Sequence, residues 1–157
     1  LSKTMITKEQ ITQLANEALD STDRFVVDIT VSKSNVIFVY IDADTSVTID
    51  HCVELSRFIE SRLDREIEDY ELSVSSAGID YPLLVNRQFK KYVEKDLEIL
   101  HNDGVKKIYK LLSYNEEKIE VQEAAIKMLG KLKKTKYGET VELQLKDIKE
   151  IKPYINF

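Results

Sequence analysis

The chain has 157 residues, 43% hydrophobic and 32% charged, with a net charge of −5 at neutral pH. That length allows one domain or two small ones; no apolar run approaches the roughly 20 residues of a membrane-spanning helix, and no basic-then-apolar start marks a secretory leader. A lone cysteine, Cys52, excludes an internal disulfide and a cysteine-based zinc site within one chain, and a reducing cytoplasm fits it best.

The first methionine is Met5, so the preceding "LSKT" reads as an addition ahead of the native start. In "TKEQITQLANEAL" the apolar residues Ile11, Leu14, Ala15, Ala18 and Leu19 recur at helical spacing, and Thr7 with Gln10 forms a capping-box pattern. A helix over about residues 8–19 follows. "RFVVDITV" then alternates Phe25, Val27, Ile29 and Val31, and "VIFVYIDA" follows the polar turn "SKSN", which predicts a β-hairpin. In "TIDHCVELSRFIESRLD" Ile49, Cys52, Val53, Ile59 and Leu63 fall along one side, Thr48 is an N-cap, and Asp50 favours the positive helix end. "YELSVSS" alternates Tyr70, Leu72 and Val74 as a third strand. The order α-β-β-α-β packs two helices on one face of a small sheet.

Composition changes after Pro82. Residues 1–82 carry 7 Lys/Arg against 16 Asp/Glu, a net −9, whereas residues 83–157 carry 16 against 12, a net +4. Such asymmetry suggests a polyanion or a basic protein as partner, although an acidic half that is merely well solvated would look the same. Beyond Pro82, "DLEIL", "KKIYKLLSY", "KIEVQEA", "ETVELQL" and "IKEIKPYINF" are separated by the turns "HNDG" and "NEE" and by a lysine-rich segment. Five short strands without a long helix suggest a small barrel. "AAIKMLGKL" between them is open to strand, helix or loop.

Groups able to do chemistry are sparse. His51 and His101 lie in different halves, and Cys52 sits among apolar residues as a small buried hydrophobe would. "IDADTSVTID" begins like a calcium loop, but Val47 occupies its glycine position and Val53 its bidentate-glutamate position. A metal-dependent enzyme would have to use Asp42, Asp44, Asp50 and His51, and a solvated loop entering a helix is the better explanation of those residues. No phosphate-binding glycine loop of either common pattern occurs.

Two stretches suit binding instead. In "GKLKKTKYG", Lys131, Lys133, Lys134 and Lys136 between Gly130 and Gly138 read as a flexible loop that neutralises phosphates or is simply solvated. Engaging single-stranded RNA through all four would add about −3 to the log–log salt slope, from roughly −0.7 per phosphate. In "ELSVSSAGIDYPLL" a strand ends on Ser75 and Ser76 and turns at Gly78. This turn either presents N–H groups and hydroxyls to an anion, or joins two domains with the serines and Asp80 satisfying local backbone.

"LSVSSAGIDYPL" resembles the signature of the RimP family of ribosome maturation factors, whose usual form is V-S-S-P-G-L-D-R-P-L. "TIDHCVELSRFIESRLD" resembles the family's second-helix pattern at Asp50, Cys52, Ser56, Arg57, Leu63 and Asp64. The element order and the terminal "DIKEIKPYINF" extend the resemblance over essentially the whole chain. It implies an α+β protein: an N-terminal α-β-β-α-β domain of KH-like layout over residues 1–82, then an all-β Sm-like small barrel of the Src-homology-3 type over residues 83–157. It also implies a cytoplasmic, non-enzymatic, monomeric assembly factor without cofactor, metal, membrane or small-molecule substrate. The implied partner is the free small ribosomal subunit, met through ribosomal RNA and a small-subunit ribosomal protein near the decoding region. Ser75, Ser76, Gly78, Asp80, Arg87, Lys131, Lys133, Lys134 and Lys136 are then the candidates for ribosome or RNA contact. Ala77 stands where the family has proline and Tyr81 where it has arginine, so that arginine's contact does not transfer, and Arg87 is the nearest substitute. The family's G-x-L strand motif is also missing around "KKIYKLL", where Lys110 precedes Leu111. A general RNA-binding regulator acting through the lysines and the barrel is the alternative.

Overall fold

A computed structural model describes residues 6–78 and 81–154. "LSKT" and Asp80 lie outside the described residues. The chain divides into two compact units, Leu1–Gly78 and Ile79–Phe157, each with its own core.

In the first unit α1 spans Lys8–Leu19, and the Thr7 hydroxyl accepts from the Gln10 N–H at 3.1 Å, occupying one of the donors a helix start leaves free. Strands β1 (Arg24–Val31) and β2 (Val36–Ala43) pair antiparallel across the "SKSN" turn, closed by the Ser32 N–H donating to the Val36 carbonyl. Helix α2 covers Ile49–Ser61, and β3 (Glu71–Ser76) returns parallel to β2, giving the sheet order β1-β2-β3. A parallel return needs a crossover, and here α2 supplies it. Asn35 fixes the end of that crossover: its side-chain amide donates to the Glu68 carboxylate and the Asp69 carbonyl, and its own carbonyl accepts from the Glu71 N–H. Ile11, Ala15 and Leu19 of α1 and Leu55 and Ile59 of α2 pack with Ile29, Ile37, Val39, Ile41 and Tyr70.

Two expected faces are corrected. A bulge between Val26 and Asp28 breaks the alternation of β1, so Val26 joins Ile29 and Val31 against the core cluster, Val27 is buried but outside that cluster, and Phe25 is half-buried outside it. In α2 the apolar side is centred on Leu55 and Ile59, flanked by Cys52 and Leu63. At 100° per residue Ile49 and Val53 lie well over 100° around the helix from Leu55, and Ile49 is 82% exposed.

The second unit begins with a 3₁₀ segment, Asn86–Tyr92, in which the buried Gln88 side chain accepts from the Leu84 and Val85 N–H groups at 2.7 and 3.1 Å. Strands β4 (Asp96–His101), β5 (Lys106–Tyr114), β6 (Lys118–Leu129) and β7 (Leu132–Gln144) form a meander, and β8 (Ile148–Pro153) returns beside β4. Leu97, Ile99, Tyr109, Leu111, Ile119, Val121 and Ile151 make its core with Leu83 and Phe89. The molecule is thus α+β with sheets of three and five strands. The barrel expected from five short strands is not closed: among the described residues no ladder joins β7 to β8. "AAIKMLGKL" resolves as strand, turn and strand. The lysine-rich segment is therefore no loop, because Leu132 to Lys136 hydrogen-bond in register with Leu129 to Ala125.

Candidate functional site

The candidate residues fall on both units, and each group has its own setting. Ser75 and Ser76 end β3 and are exposed; the Ser75 hydroxyl donates to the Ser76 carbonyl at 3.1 Å. Burial pushes the Cys52 thiol above its ordinary pKa, with the neighbouring Ser76 backbone opposing the shift. The Ala77 N–H donates to the Ile41 carbonyl at 2.8 Å. One backbone donor that an anion-binding turn would present, the Ala77 N–H, is thus already used inside the unit. Gly78 has φ +62°, which an L side chain adopts only with strain, and this turn therefore favours glycine.

Beside these residues lies a cavity of about 230 Å³ between the start of α2 and the end of β3, lined by Val47, Thr48, Ile49, Cys52, Val74, Ser75 and Ser76. The α2 end that borders it carries a capping box: the Thr48 hydroxyl accepts from the His51 N–H at 3.2 Å, and His51 Nδ1 accepts from the Thr48 N–H at 3.0 Å. A histidine thus fills the place usually held by glutamate in a capping box, which is the structural use of His51. His101 has a comparable one, its Nε2 lying 2.8 Å from the buried Tyr109 hydroxyl.

The carboxylates do not assemble into a metal site. Asp42 Oδ1 accepts from the Ala43 N–H at 2.7 Å, and among the described residues no group of three or more His, Cys, Asp or Glu is placed to hold a metal ion. Asp42, Asp44, Asp50 and His51 are therefore not brought together.

On the second unit Arg87 is exposed in the first turn of the 3₁₀ segment. Lys131 is a turn residue, and Lys133, Lys134 and Lys136 are exposed on β7. Residues directly opposite in a ladder share a face, so Lys134 lies beside Lys127 of β6, with Lys136 two residues further along the same face. Lys133 stands on the other face, opposite Met128. Lysines elsewhere on this sheet have partners, such as Lys106 with Glu98 at 3.1 Å and Lys118 with Glu142 at 2.9 Å. Among the described residues Lys127, Lys131, Lys134 and Lys136 have no carboxylate within ion-pair distance. The root of the hairpin is held by Tyr137, whose hydroxyl donates to Asp96 at 2.9 Å while the Lys110 ammonium lies 4.4 Å from the ring centre. Lys127 was missing from the expected set. Its signal was present as a two-residue alternation mirrored about Gly130-Lys131, which places it opposite Lys134.

A sequence profile described as the RimP N-terminal domain matches residues 14–80. The chain is 35% identical over 147 residues to a protein of Porphyromonas gingivalis named Ribosome maturation factor RimP, covering 93% of this chain and 97% of that one. It is 34% identical over 152 residues to the protein of that name from Christiangramia forsetii, covering 96% and 99% of the two chains. For the one from Cytophaga hutchinsonii the figure is 33% over 144 residues, covering 85% and 86%.

Proposed function

The chain belongs to the RimP family, and from that membership we propose that it is a ribosome maturation factor that binds the free small ribosomal subunit and assists its late assembly without catalysing a reaction. The observation that carries this reading is similarity along nearly the whole length of relatives bearing that name, 97% of one and 99% of another. On this reading the protein acts in the cytoplasm as a monomer, with no cofactor. Residues 1–82 serve as the N-terminal domain of KH-like layout. Residues 83–157 serve as an Sm-like domain, a reading supported by a meander whose last strand returns beside its first. The acidic half faces a basic ribosomal protein near the decoding region and the basic half faces ribosomal RNA, in keeping with the opposed net charges. Ser75, Ser76, Gly78, Asp80, Arg87 and the lysines from 131 to 136 are the residues proposed to make or position these contacts.

The test is sedimentation through a density gradient with free small subunits and, separately, with assembled ribosomes. Co-migration with free subunits alone is expected. Migration with neither at low salt and micromolar concentration overturns the reading. The exposed lysines of the β6–β7 hairpin favour a second reading, a general RNA-binding regulator. It is supported if free RNA is bound as tightly as subunits and if changing Lys131, Lys133, Lys134 and Lys136 to Ala abolishes both.

A further inference from the structure

The β6–β7 hairpin runs on past its sheet. Strand β5 pairs with β6 only from Ile119 to Glu123, whereas the β6–β7 ladder continues from Ala124 opposite Tyr137 to Leu129 opposite Leu132. This outer part is a two-stranded ribbon, a structure only marginally stable in water without further packing. Its turn has φ +64° at Gly130 and no positive φ at Lys131, the pattern of a type II′ turn, which matches the strand twist and holds the ribbon in register.

Two features of the ribbon are unfavourable in bare solvent. Lys127 and Lys134 stand directly opposite each other, a like-charge pair that weakens a ladder, and Lys136 extends the same face. The tip carries Met128, Leu129 and Leu132, exposed by 59%, 60% and 73%. Leu129 and Leu132 share the face of the three lysines, so that face is apolar at its end and cationic behind.

We infer that this ribbon is an arm for double-helical RNA: its lysines hold phosphates on either side of the minor groove, and its apolar tip lies against the sugars within. The inference rests on the ribosomal reading above. The cations without carboxylate partners suit a polyanion. Single-stranded RNA is held largely by stacking on aromatic side chains; residues 125–136 contain none, and Tyr137 at the root of the ribbon is already engaged by Asp96 and Lys110. A duplex offers instead a wide, shallow minor groove, recognised by shape through sugars and phosphates, which aliphatic tips and flexible ammonium groups suit.

The test measures binding of the full chain, by fluorescence anisotropy, to an RNA hairpin with a stem of about 16 base pairs, to an unpaired RNA of equal length and to phosphatidylserine vesicles. Tightest binding to the hairpin is expected. Replacing Lys127, Lys131, Lys134 and Lys136 with Gln should reduce the salt slope by about 3.6, from roughly 0.9 per phosphate of a duplex, and weaken binding about tenfold or more. Replacing Leu129 and Leu132 with Ser should weaken binding at unchanged slope. Should the fourfold variant fail to fold, K127Q and K134Q singly relieve a repulsion, and each should lower the slope by about one. Unpaired RNA or vesicles bound as tightly as the hairpin, or folded variants with unaltered affinity, overturn the inference. Sedimentation with small subunits is run beside it: subunit binding without hairpin binding overturns the arm alone, and hairpin binding without subunit binding supports the arm while overturning the ribosomal reading.

Discussion

Gly78, just past the end of β3, is held in a left-handed conformation. A Cβ there would find its nearest neighbour, the Ser76 hydroxyl, at 4.0 Å, so space is not the obstacle; the φ of +62° is. Gly78→Ala should therefore lose about 1–2 kcal/mol, the cost of a left-handed L residue, and Gly78→Val more. Urea denaturation checks this, and an unchanged midpoint would show that the turn relaxes freely. Gly78→Val should also weaken subunit binding in the folded protein. Asp23 offers a second check at one side chain: the Thr45 hydroxyl, donating to its carboxylate, holds its pKa below the ordinary value. Because the folded pKa is depressed, this bond stabilises the protein above the unfolded pKa, and that contribution is lost as pH falls through the folded one. Thr45→Val should move Asp23 upward in an NMR carboxyl titration.

The Thr48–His51 capping box and the β6–β7 hairpin are where whole elements answer to few residues. Thr48→Ala removes the cap of α2, at a cost of about 1 kcal/mol, and uncovers donors beside the small cavity. The hairpin gives the more discriminating result. Lys127→Glu converts a like-charge pair with Lys134 into an opposite-charge one, which should stabilise the ladder by about 0.2–1 kcal/mol. If the ribbon serves a polyanion, the same change should weaken binding to RNA and to small subunits. A rise in the denaturation midpoint together with a fall in affinity would separate function from folding; parallel changes would tie the lysines to structure alone.

Each unit contains a core of its own, built around Ile11, Ile37, Val39, Ile41 and Ile59 in one and Leu97, Ile99, Leu111, Ile119 and Val121 in the other. Residues 1–78 made alone should therefore unfold in a single cooperative transition by circular dichroism, and Ile59→Ala in that fragment should lose about 2–5 kcal/mol. A gradual, non-cooperative melt would show that the unit depends on the rest of the chain. Domains of this size bury only roughly 60% of their unfolded surface, so a low midpoint is expected. Much of this plan was legible from residue order. The spacing of Ile11, Ala15 and Leu19, the Thr7 and Thr48 caps and the alternation of β4 to β6 depend on neighbours a few positions apart, and periodicity reports those directly. The family signature at Ser75, Ser76 and Gly78 was legible for the same reason, being one short run. What required the folded chain was every pairing between distant segments. The bulge in β1 brought Val26 to the core in place of Phe25, and Asn35 anchored a crossover 33 residues away. The lysine run became a strand because Ala125 to Leu129 supplied its hydrogen bonds, and that register set Lys127 against Lys134. A strand's propensity is weak until a partner satisfies its backbone, so side-chain spacing marked where strands could form while the ladders decided which lysines stand together.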